Sequence, residues 1–138
     1  MAEFKVGQVV EGRPRTVTLD RMRGFSGWPR RDIHTDEEMA RASGLPGAIA
    51  SGTMSEAYLV GLMLDVFGDD WIRHGRMELT FIKPVQPGDI VVPRGRIEEV
   101  APGDGETCAT VAIWCENQRG EHVVVGTAWA RLNGSPRR

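Results

Sequence analysis

Cysteine is scarce in this chain of 138 residues: Cys108 and Cys115 are the only two. Both fall in one stretch read as a strand, where a rise of about 3.3 Å per residue puts them roughly 20 Å apart and on opposite faces. They cannot pair within that strand, and no CxxC redox pair or zinc site is suggested, so buried structural thiols are expected. Long apolar runs are missing too: nothing approaches the roughly 18 consecutive residues of a membrane span. The opening MAEFKVGQVVEG has no basic region followed by an apolar core, so a soluble, cytoplasmic protein is expected. A cationic field is also lacking. With a net charge of -2, a pI near 5.9 and scattered Lys and Arg, nucleic-acid binding is disfavoured.

What is present suffices for an ordinary core. At 15.2 kDa and 41% hydrophobic residues, one domain spanning residues 1–138 is expected. Residues 8–19 mix β-branched residues with Gly and Pro, which predicts an edge strand or two short extended pieces. Asp20 could cap a helical turn that Gly24, Gly27 and Pro29 would end. From Arg76 the pattern alternates, with Met77, Leu79 and Phe81 set against Arg76, Glu78 and Thr80. After the QPGD turn, segments near 90–100, 107–117 and 122–132, separated by APGDG and QRGE, predict an antiparallel meander. Trp114 and Trp129 lie in these strands and read as packing residues. The tail NGSPRR reads as frayed.

The segment RRDIHTDEEMARASGLPGAIASGTM, residues 30–54, carries the chemistry-bearing residues. Thr35-Asp36-Glu37-Glu38 has the spacing of a capping box, with a short helix ending by Ser43 and Gly44 as its left-handed cap. Thr53-Met54-Ser55-Glu56 is a second such box. Ala57 to Phe67 is almost wholly apolar, which predicts a helix buried all round and stopped by Gly68. An extended start, a buried helix and a set of antiparallel strands make an α+β arrangement, a sheet curled around one hydrophobic helix.

A buried helix starting near Gly52 would present unsatisfied N–H groups and the positive end of its dipole to a ligand. Gly52 would let that ligand approach the backbone; equally, Gly44, Gly47 and Gly52 could serve only caps and tight packing. Among the histidines, His74 in the polar stretch WIRHGR and His122 at a strand start read as surface residues. His34 could move protons near neutral pH, or could simply precede a helix cap.

Together IHTDEEMARASGLPGAIASGTM, FIKPVQPGD and GTAWARL resemble the MaoC-like branch of the hot-dog fold, which includes (R)-specific enoyl-CoA hydratases and dehydratases. The resemblance implies a single hot-dog domain, a substrate that is an acyl-CoA or acyl carrier protein thioester, no cofactor, and paired units, as a homodimer or a hetero-oligomer. It implies that His34 is the acid/base and that Gly52, flanked by Ser51 and Thr53, holds the thioester oxygen. Family hydratases carry Asp-x-Asn-Pro-x-His, and here Pro29 stands where that aspartate would be. Asp32, two residues before His34, shares its face if the segment is extended and is ranked above Asp36 as partner. Two alternatives stay open: a non-catalytic thioester-binding or partner subunit, and a hot-dog thioesterase in which Glu56 is the working acid instead of a capping partner of Thr53.

Overall fold

Alternating burial sets the frame in the computed structural model, which describes residues 4–102 and 105–133. In chain order the elements are β1 (Val9–Glu11), β2 (Arg15–Thr16), α1 (Leu19–Phe25), α2 (Glu37–Ala42), α3 (Gly52–Phe67), α4 (Asp69–His74), β3 (Arg76–Phe81), β4 (Ile90–Pro102), β5 (Glu106–Glu116) and β6 (His122–Asn133). Part of the APGDG turn and the tail after Asn133 lie outside the described residues.

In β5, Ala109, Val111, Ile113 and Cys115 are buried while the residues between them are half-exposed, the period of two that a one-sided sheet requires. Strands β4, β5 and β6 form the expected antiparallel meander. Strand β3 does not extend it next to β4 but pairs antiparallel with the far side of β6, giving the order β1-β4-β5-β6-β3. The two short extended pieces both pair with β4.

The long helix α3 lays Leu59, Leu62, Met63 and Phe67 on the sheet's inner face. That face carries Ala109, Ala128 and Ala130, whose short side chains let the helix sit close. Each large side chain buried there contributes about 1.5–3 kcal/mol of transfer free energy. The expectation of a helix buried all round is corrected. Ala57, Leu64 and Asp65 form an exposed stripe, because a single sheet covers one side of the helix.

Other expectations also shift. Helix α1 is capped by Thr18, whose hydroxyl accepts from the Arg21 N–H at 3.1 Å, and Asp20 lies in the first turn. Gly24 is carried inside this helix; an internal glycine costs about 1 kcal/mol, and burial of Met22 offsets it. WIRHGR is not all loop, since Asp69 and Asp70 start α4 and Arg73 and His74 end it, matching the helix dipole, with Trp71 buried. Trp114 and Trp129 pack on the outer face of the sheet and not in the core. Trp114 stacks on His122 with centroids 5.6 Å apart, and the Arg76 guanidinium lies 4.7 Å over Trp129. Of the two thiols only Cys115 is buried, where burial pushes it up to about 12; Cys108 is exposed because it falls on the outer face.

Candidate active site

Residues 32–36 form a tight turn, not an extended segment. The Thr35 and Asp36 N–H groups both donate to the Asp32 carbonyl, at 3.1 and 3.0 Å. The Asp32 carboxylate accepts from the His34 backbone N–H at 2.8 Å, an Asx turn that fixes where His34 leaves the chain. Thr35 is fully buried: its hydroxyl accepts from the Asp32 N–H and donates to the Arg30 carbonyl. It therefore does not cap α2. Asp36 does, accepting from the N–H groups of Glu38 and Met39 at 2.9 and 3.1 Å. The Met39 bond is the first cause holding the Asp36 carboxyl below its usual range. Both acids near His34 thus serve the backbone. Among the described residues, neither carboxylate is hydrogen-bonded to the His34 ring, which corrects the face-sharing pair expected for Asp32.

The connection 45–51 runs alongside this turn. Glu37 reaches across to accept from the Ala48 N–H at 2.9 Å. A Cβ on Gly47 would stand 2.6 Å from that carboxylate, so Gly47 serves packing. Gly44 has φ +91°, the left-handed cap expected of it. The Ile49 N–H donates to the Ile33 carbonyl at 3.1 Å, and the Ile49 carbonyl accepts from His34 Nδ1 at 2.9 Å. A carbonyl can only accept, so Nδ1 carries hydrogen and the lone pair of the neutral ring sits on Nε2.

That ring lines a cleft of about 540 Å³ together with the start of α3. Ser51 is the N-cap of α3 but makes no side-chain capping bond; its hydroxyl pairs with that of Thr53 at 2.7 Å. The Met54 N–H donates to the Ser51 carbonyl, whereas among the described residues the N–H groups of Gly52 and Thr53 have no acceptor. Two donors at the positive end of a helix 16 residues long therefore remain available beside His34. The apolar wall is built by Phe81, Ile82, Pro84, Val85 and Val124. A Cβ on Gly52 would lie 2.8 Å from the Phe81 ring, so this glycine makes room for an aromatic neighbour that its local sequence does not reveal.

His34, Ser51, Gly52 and Thr53 are thus gathered on one cleft, while Asp32 supports it through the backbone. Glu56 lines the same cleft and is not in a capping box, since the Thr53 hydroxyl is engaged with Ser51. The sequence offers Glu56 either as a working acid or as a capping partner, and its place one helical turn after Gly52 is what brings it to the cleft, since positions i and i+4 share a face. Among the described residues, no group of three or more His, Cys, Asp or Glu could hold a metal ion, and no helix is long and apolar enough to cross a membrane.

Lys83, at the rim, is held by Glu121 from the turn between β5 and β6. The Lys83 hydrogen bond, then those from Asn117 and Arg119, lowers the Glu121 carboxyl from 4.5 to about 2. A folded value below the unfolded one means that the stabilisation is complete above about pH 4.5 and is lost as pH falls toward 2. Glu121→Gln is expected to flatten that acid decline in melting temperature. A decline as steep as the parent's would show that Glu121 does not contribute it.

Comparison with known proteins agrees with this architecture. The uncharacterized protein YdeM of Bacillus subtilis (strain 168) is 33% identical over 129 residues, covering 90% of this chain and 92% of its own. Among solved structures, the MaoC-like dehydratase from Rhodospirillum rubrum superposes with a TM-score of 0.80 at 25% identity, covering 97% of this chain and 96% of that one. The unliganded R-hydratase PhaJ1 from Pseudomonas aeruginosa shares the fold with a TM-score of 0.75 at 24% identity, covering 96% and 84%. The family described as the MaoC like domain matches residues 2–117, so the chain belongs to the MaoC-like dehydratase family and has its hot-dog fold.

Proposed function

We propose that this protein hydrates a 2-enoyl thioester, or dehydrates the matching 3-hydroxyacyl thioester, of coenzyme A or an acyl carrier protein. The observation that carries the reading is that His34 Nε2 and the two unpaired N–H groups of α3 share one cleft. In dehydration, Nε2 takes the proton from the α-carbon, and the negative charge spreads to the thioester oxygen. The Gly52 and Thr53 amides stabilise that oxygen more in the transition state than in the ground state, which is what accelerates a reaction. The apolar wall suits an acyl chain, and Asp32 acts as a positioning residue by holding the His34 backbone.

Pairing of two such units fits the open side of β3, whose end is marked by Phe81 at 53% exposure and Ile82 at 50%. Assays of 2-enoyl-CoA substrates of several lengths, with free thiol followed in parallel, test the reading. Loss of the enoyl absorbance without thiol release is the expected result. Thiol release without hydration would mark a thioesterase. Binding without turnover would mark a non-catalytic subunit, the alternative motivated by Pro29 in place of the family aspartate.

A further inference from the structure

Hydration needs two proton-transfer groups, because one proton leaves the attacking water while another reaches the α-carbon. His34 can be one of them. The acids flanking it are occupied, Asp32 by the His34 N–H and Asp36 by the start of α2. Among the described residues that line the cleft, Glu56 is the only carboxylate, and it has no hydrogen-bond or ion-pair partner. A half-buried acid left without a partner is unusual, since α3 would have been served by the capping bond that its sequence spacing offers. The bond between the Ser51 and Thr53 hydroxyls removes that use. The first turn of α3 instead directs Gly52 and Glu56 to the same cleft that His34 faces.

The geometry points to Glu56 as the second proton-transfer group of this site, in place of the family aspartate that Pro29 replaces; the inference rests on the hydratase reading above. In hydration, water forms its bond to the β-carbon and gives a proton to the Glu56 carboxylate as the carbon–carbon π pair moves toward the thioester oxygen. The α-carbon then takes the Nε2 proton of His34, which enters this step as the imidazolium and leaves it neutral. Dehydration runs in reverse: neutral His34 removes the α-proton, the β-carbon to oxygen bond breaks, and the Glu56 carboxylic acid protonates the departing hydroxyl to release water. In hydration Glu56 gains one proton and His34 loses one, and in dehydration the reverse, so atoms and charge balance; the pair resets when one proton returns from the protonated group to the other through solvent.

The test uses the full chain, Glu56→Gln and His34→Ala, each checked for folding by its melting transition. Two reactions are followed: hydration of a short 2-enoyl-CoA, and exchange of the α-protons of a saturated acyl-CoA in D2O, which requires a base and an oxyanion site but no β-hydroxyl chemistry. Glu56→Gln is expected to slow hydration by about 10²- to 10³-fold while α-proton exchange persists; His34→Ala is expected to lose both. Hydration by Glu56→Gln within about twofold of the parent, with His34→Ala inactive, overturns the role of Glu56 and leaves the hydratase reading standing. Loss of exchange as well as hydration in Glu56→Gln also overturns it, because the damage would then extend to the His34 half of the site. A parent protein that exchanges α-protons but hydrates nothing overturns both readings.

Discussion

Replacing His34 by alanine is expected to lower hydration by about 10³- to 10⁴-fold, the upper part of the range for removing a positioned proton-transfer group. At 1.36 kcal/mol per tenfold, this is about 4–5 kcal/mol of transition-state stabilisation. Two losses are combined in that variant, because the ring also ties the turn at 32–36 to the connection at 45–51 through Ile49. Losing that hydrogen bond costs about 1 kcal/mol of stability. A companion variant, His34→Gln, separates the two, since its side-chain N–H can still donate to the Ile49 carbonyl but has no basic nitrogen. Both variants are expected to be inactive, with His34→Gln melting closer to the parent. If His34→Gln retained hydration within tenfold of the parent, the assignment of proton transfer to His34 would be wrong.

A second large effect is expected far from any titratable group, at Gly126. Strand β6 pairs with β3 at this point, opposite Leu79, and a Cβ at Gly126 would overlap the backbone carbonyl oxygen of Glu78. A flexible side chain could swing aside, but a carbonyl held in a sheet cannot, so the strands must separate locally. Gly126→Ala is therefore expected to cost about 3 kcal/mol, at the high end for overpacking, read from the urea midpoint with the slope unchanged. The damage should reach the cleft as well. Strand β3 ends at Phe81, whose ring lies against Gly52 at the start of α3. A variant with the parent's midpoint would show that the β3 and β6 backbones accommodate a methyl group there.

These two positions differ in how far a reading of residues could take them. His34 is one of three histidines and stands just before a helix start, so its candidacy was legible in local pattern. Gly126 lies in an otherwise regular strand stretch, GTAWARL, and nothing nearby marks it. Its requirement comes from β3, a strand nearly fifty residues earlier in the chain. Gly52 lies between these cases: its place at a helix N-terminus was foreseeable, but the Phe81 ring against it was not.

The strands from Arg76 onward, the long helix and its stop at Gly68, and the cap at Gly44 all follow from interactions within a few residues. Alternating side chains, 3.6-residue periodicity and the φ freedom of glycine act at short range, so local sequence carries them. Partner choice among polar groups is a different matter. Thr35, Asp36, Thr53 and Glu56 each offered a plausible local bond, and local spacing cannot rank bonds of nearly equal strength. Folding ranks them by what else approaches. The Arg30 carbonyl and the Asp32 N–H claimed the Thr35 hydroxyl, Asp36 then capped α2, and the Ser51 hydroxyl took Thr53. Asp32 was drawn to a backbone N–H and Glu56 was left facing the cleft. The chain pattern therefore supplied the frame and the histidine, while competition among closely spaced hydrogen-bond partners, decided only when the turn at 32–36 and the start of α3 had folded, set which carboxylates serve the backbone and which one lines the cleft.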